Sequence, residues 1–149
     1  MTTSRPDFLI RNAQGYPIAV VEVKNRQNLS PDVAKKLRSN MVARGVPSQV
    51  PYFLLLSQDV GFLWNGTKQD NPDALPSYEF PMNKIVSRYF KDSSEKRLYG
   101  EVFELLVLQW LNDLMAGIQK ASEEPEKTLA LSGFNESIQG ATIVPEEKL

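Results

Sequence analysis

Two carboxylates and an amine near the N-terminus, Asp7, Glu22 and Lys24, carry the chemistry that this sequence offers most clearly. Glu22 and Lys24 stand two residues apart in PIAVVEVKN. An extended strand therefore puts both on one face and turns Val21 and Val23 to the other. Gln14 and Gly15 supply turn chemistry between two strand-like runs, 5–12 and 17–25. A two-residue turn there sets Ala13 opposite Tyr16 and carries Asp7 directly opposite Glu22. Facing side chains in an antiparallel pair have Cβ atoms roughly 4.5–5.5 Å apart. Two carboxylates that close repel unless a proton or a cation lies between them. A divalent metal with oxygen ligands answers that requirement. The expectation is conditional on register, because a one-residue slip in the turn would destroy the facing.

What the chain lacks narrows the chemistry further. It has no cysteine and no histidine. Thiolate metal sites, disulfide frameworks and the commonest general base are therefore excluded. Catalysis has to use carboxylates, lysine, hydroxyls and a hard metal. The net charge of −1 conceals a gradient. Residues 1–50 hold eight Lys/Arg against three Asp/Glu, and residues 101–149 hold three against nine. The basic third carries Asp7, Glu22 and Lys24, so a polyanion would be drawn there and repelled by the acidic end.

Pro6-Asp7 followed by Glu22-Val23-Lys24 resembles the PD-(D/E)XK nuclease superfamily, whose fold is that of the restriction endonucleases. The apolar run before Glu22, and the helix and apolar strand after Lys24, strengthen the likeness, which spans residues 5–66. RPDFLIRNAQGYPIAVVEVKN and PYFLLLSQDVGFLWNG look most like the nuclease domains of restriction-system proteins. The resemblance implies an α/β, restriction-endonuclease-like three-layer fold, with helices flanking a mixed sheet of about four strands. It implies Mg²⁺ or Mn²⁺ held by Asp7, Glu22 and the backbone carbonyl of Val23. Lys24 would orient the attacking water or stabilise the transition state, and the substrate would be DNA. It also admits a homodimer or a larger restriction-type assembly. The alternative is a catalytically inactive, nuclease-like interaction module inside a nucleic-acid-processing assembly.

The elements that must hold these residues are legible in outline. Ser30 caps a helix over residues 31–44, with Pro31 at its first position and Gly45 at its end. Val33, Ala34, Leu37 and Met41 point inward at helical spacing, and Lys35, Lys36, Arg38 and Arg44 outward, where they could meet phosphates or solvent. Residues 51–57 read as a strand buried on both faces, and 60–65 as its neighbour across a short connection. Phe62 and Trp64 share a face, where core packing is a more frequent role than stacking on bases. Residues 67–78 read as a loop and 81–91 as a short helix. Asp92-Ser93-Ser94 breaks that helix and caps the next, which covers residues 95–120 and is largely apolar.

The superfamily usually opens with a helix that lends a glutamate to the metal. The late helix, YGEVFELLVLQWLNDLMAG, looks like that element displaced, which makes Glu104 a candidate ligand and Glu101 the second choice. Their competing role is as first-turn acids favoured by the helix dipole. Residues 1–120 are expected as the nuclease-like domain. Residues 121–149 are expected as an acidic extension, partly disordered or an arm, in which 128–131 and 141–144 could be short strands. Met1-Thr2-Thr3-Ser4 shows no signal-peptide core and no apolar run approaches the ~20 residues of a membrane span. A cytoplasmic protein without membrane contact is expected.

Overall fold

The computed structural model describes residues 6–47, 49–89, 98–118 and 122–145. Six strands form one mixed sheet: β1 (Phe8–Arg11), β2 (Pro17–Val23), β3 (Tyr52–Leu56), β4 (Val60–Asn65), β5 (Tyr78–Pro81) and β6 (Thr142–Pro145). Their order across the sheet is β5-β4-β3-β2-β1-β6. Only β2 and β3 run parallel, and the other neighbours are antiparallel. A parallel pair needs a long crossover, and α1 (Pro31–Ala43) lies within it. The expected four-stranded core is there, widened by β5 and β6. Tyr78 and Phe80 pack inward across β4, where Phe80 lies so close to Gly61 that a Cβ there would fall 2.2 Å from the Phe80 ring. β3 and β4 form a direct hairpin, as their short connection allows.

Period-2 alternation divides the sheet into two packed faces. Phe8, Ile10, Val21, Leu54, Leu56 and Leu63 face one core, covered by α2 (Asn83–Tyr89), α3 (Gly100–Met115), α4 (Glu126–Ser132) and α5 (Phe134–Ser137). Leu9, Val20, Phe53, Leu55, Phe62 and Trp64 face a second core, covered by α1. The α1 boundaries follow from its capping: the Ser30 hydroxyl accepts from the Val33 N–H at 3.2 Å, and Gly45 turns left-handed at φ +103°. Val33, Ala34, Leu37 and Met41 pack inward as their spacing requires, and Phe62 and Trp64 are core residues.

Arg38 departs from the expectation that it faces outward. It is 0% exposed. Its guanidinium lies 5.4 Å from the Phe53 ring and 5.2 Å from the Trp64 ring. It donates to the carbonyls of Gln69 and Asn71 and, at 2.8 Å, to Oε1 of Gln69. Gln69 in turn donates to the Val50 carbonyl. Burial lowers the Arg38 pKa from its ordinary value. Carbonyl dipoles and aromatic faces supply what water would otherwise provide. The segment expected as a loop therefore begins with a 3-10 turn (Gly66–Asp70) tied down from beneath by α1.

The late helix is seen over Gly100–Met115, while residues 95–97 and 119–120 of the expected span lie outside the described residues, as do Asp92-Ser93-Ser94 and Arg5. Phe103, Val107, Trp110, Leu111 and Leu114 are buried, but Leu105 is exposed. Residues 128–131, expected as strand or arm, are helical in α4, and Leu129, Phe134 and Ile138 join the first core. Their helical spacing buries an apolar stripe that the acidic composition obscured. Glu126, buried there, accepts from Arg88 and from the Trp110 indole. β6 pairs with β1, consistent with the extended character expected of residues 141–144. The expected disorder of the last few residues falls on 146–149, outside the described residues.

Replacing Arg38 by methionine keeps much of the volume and removes the donors, leaving buried carbonyls unpaired. Arg38→Met should cost about 2–4 kcal/mol, read as a lower urea midpoint at unchanged slope. Arg38→Lys should recover only part of that loss, because an ammonium lacks the planar fork. An unchanged midpoint for Arg38→Met would show that the clamp adds nothing to stability.

Candidate functional site

The first two strands pair as Phe8 with Val21, Leu9 with Val20 and Ile10 with Ala19, a register that carries Asp7 opposite Glu22. The turn differs from the expected two-residue form. The Asn12 N–H donates to the Tyr16 carbonyl, and the Asn12 side chain accepts from the N–H groups of Gln14 and Tyr16. Gly15 takes the left-handed conformation this tip requires, at φ +87°. This turn alone would shift the register by one. A bulge after Ile10, where Arg11 pairs with Pro17, restores it.

Asp7 and Glu22 are both buried. The Asp7 N–H donates to Glu22 Oε1 at 3.0 Å, and the Val23 N–H donates to Asp7 Oδ2 at 2.8 Å. Each carboxylate thus accepts an amide from the strand carrying the other. Charge-assisted bonds of this kind fix side-chain orientation more firmly than neutral ones. Lys24 places its ammonium 3.9 Å from Glu22 Oε2 and keeps its side chain about one-third exposed, at 32%. The Lys24 N–H donates to the Leu56 carbonyl at 2.8 Å, so the β2–β3 ladder continues through the site. Asp7, Glu22 and Lys24 converge at the carboxyl end of β2, beside the end of its parallel neighbour. That is where open α/β sheets present their crevices.

Alternation puts Glu22 and Lys24 on the same face as Val20, the one covered by α1. Glu104 belongs to α3, which covers the opposite face. It is partly buried, and Glu101 is exposed. Among the described residues no three His, Cys, Asp or Glu side chains group closely enough to hold a metal. Among these residues Glu104 does not form such a group of three with Asp7 and Glu22. The cations of α1 are also divided: Lys36 and Arg44 are exposed, and Arg38 is withdrawn into the core.

A second group of residues, not singled out by the sequence, borders the site. Ser57, Gln58 and Asp59 form the β3–β4 turn. Gln58 is bonded to Asn25 and to the backbone of Leu98, and Asp59 accepts from the Asn28 N–H. The available signal was three polar residues between two largely apolar strands.

No family model matches the chain, and no curated protein and no solved structure matches it. Among the described residues no helix is long and apolar enough to cross a membrane.

The paired bonds separate two kinds of substitution. Asp7→Ala removes the acceptor of the Val23 N–H and should cost about 1–3 kcal/mol in metal-free buffer. Asp7→Asn keeps an oxygen there and should cost less. Equal losses in chemical denaturation would show that the Asp7–Val23 bond does not hold the hairpin.

Proposed function

We propose that this chain is a Mg²⁺- or Mn²⁺-dependent nuclease of restriction-endonuclease-like fold, hydrolysing DNA phosphodiesters in the cytoplasm. The observation that carries the proposal is the convergence of two buried carboxylates and a partly exposed lysine at one strand end. The donor set suits the cation. Magnesium takes hard oxygen ligands, keeps several waters, and is commonly bound by one or two carboxylates together with substrate phosphate. Asp7, Glu22 and the Val23 carbonyl would hold it. A cation bound there supplies an acidified water and neutralises charge on the phosphate.

The chain's own residues perform the remaining work. The amides of Asp7 and Val23 fix one oxygen of each carboxylate and so preorganise the pair. Lys24 stands at the rim, where its ammonium can donate to a phosphate oxygen as negative charge grows. Glu22 keeps that ammonium near. Lys36 on α1 and Arg44 just after it add positive charge, in the basic third of the chain that attracts a polyanion.

One observation favours a second reading. The carboxylates satisfy the amides of each other's strands, so the same geometry can serve as a structural clasp in an inactive interaction module.

Melting with and without Mg²⁺ or Mn²⁺, together with plasmid nicking, separates the two. Wild type should gain stability with metal, and Asp7→Asn should lose that gain. Lys24→Ala should keep the gain and lose turnover, because lysine acts on the transition state. Equal metal-induced stabilisation of wild type and Asp7→Asn would refute the metal assignment. Absence of metal-dependent cleavage on every DNA form would leave the interaction module as the reading.

A further inference from the structure

A lysine ammonium sits at the end of a flexible four-carbon stem, so its position depends on how firmly the backbone around it is held. Upstream, Lys24 is fixed by the β2 ladder and its bond to Leu56. Downstream, the chain leaves the sheet, and the β3–β4 turn takes over. Gln58 is 6% exposed. Its Nε2 donates to Asn25 Oδ1 at 2.8 Å and to the Leu98 carbonyl at 2.9 Å, and its Oε1 accepts the Leu98 N–H at 2.9 Å. One amide therefore ties the residue after Lys24 to the segment that starts α3. Asp59 holds the same connection further along. Its Oδ2 accepts from the Asn28 N–H at 3.0 Å, where Asn28 turns left-handed at φ +56°. Its Oδ1 accepts from the Ser57 hydroxyl.

We propose that Gln58 is a positioning residue for Lys24, acting through Asn25 to fix where the ammonium stands relative to the Asp7–Glu22 pair. The proposal rests on the nuclease reading. The hydrogen bonds of Gln58 go to Asn25 and Leu98 and to neither carboxylate, so its effect is on geometry. Its near-complete burial with three satisfied bonds makes it a rigid bridge. Misplacement of a catalytic group by about 1 Å can cost on the order of 100-fold in rate.

The test uses the full chain with Mg²⁺ and plasmid DNA, at a temperature where every variant is folded. Gln58→Met keeps the length and removes the amide. It should lower kcat by about 10–100-fold with KM for DNA unchanged and the metal-induced melting shift retained. Asn25→Ala, at an exposed position, should reproduce the loss and serves if Gln58→Met does not fold. Asn25→Asp keeps the acceptor and should retain most of the turnover. A lower melting temperature with unchanged kcat would mean that Gln58 only stabilises the fold, and would overturn the proposal. Equal loss in Asn25→Asp and Asn25→Ala would overturn it too. A wild type without metal-dependent cleavage would overturn the nuclease reading and this inference with it, an outcome distinct from an active wild type with an unaffected Gln58→Met.

Discussion

Everything at the candidate site depends on the register of β1 against β2. Side chains on a strand alternate, so a shift of one residue would remove Asp7 from Glu22 and exchange the two cores together. The register is set by two local irregularities that cancel. The Asn12 turn is wider than a two-residue hairpin, and the bulge after Ile10 takes up the difference. Burial enforces the result. Phe8 and Ile10 must face the large core while Leu9 faces the α1 core. A slip would put Asp7 out of reach of the Val23 N–H and leave a buried carboxylate without that donor, which is costly.

Burial is compensated on the α1 face too, through the two terminal nitrogens of Arg38, while its Nε is buried without a hydrogen-bond partner. A charged side chain in a core has to be solvated by the protein, and Arg38 is solvated by carbonyls and aromatic faces, with no carboxylate bonded to it among the described residues. The arrangement joins α1, β3, β4 and the 3-10 turn. It also removes one of the four cations that α1 might have offered to a polyanion. The opposite face is built differently, with Glu126 drawing Arg88 of α2 and Trp110 of α3 onto α4.

The late helix belongs to this opposite face. α3 has the apolar character of a helix laid on a sheet, and it is one. It packs on the sheet face opposite the one that alternation gives Glu22, and its Glu104 forms no close group of three with Asp7 and Glu22 among the described residues. Its start is nevertheless joined to the site through Gln58, which links Leu98 to Asn25. The segment leading into the helix thus meets the strand end through one side-chain amide.

The sequence alone determined what short-range rules can determine. Alternation in PIAVVEVKN put Glu22 and Lys24 together, the two runs around Gln14-Gly15 marked a hairpin whose register the Asn12 turn and the bulge then fixed, and Ser30, Pro31 and Gly45 marked the ends of α1. The unbroken apolar run at 53–56 identified a strand buried on both sides. Each of these rests on a period or a cap within one or two elements. Tertiary structure decided the rest, because it depends on residues far apart in the chain. Arg38 reads as a surface cation on a helical wheel, and only Phe53, Trp64 and Gln69 make its burial tolerable. The segment around Leu129 reads as an acidic extension until the core it fills is in place, and β5 and β6 are strands because β4 and β1 leave edges to pair. The face on which α3 lands is set by packing among distant elements, which no local periodicity encodes.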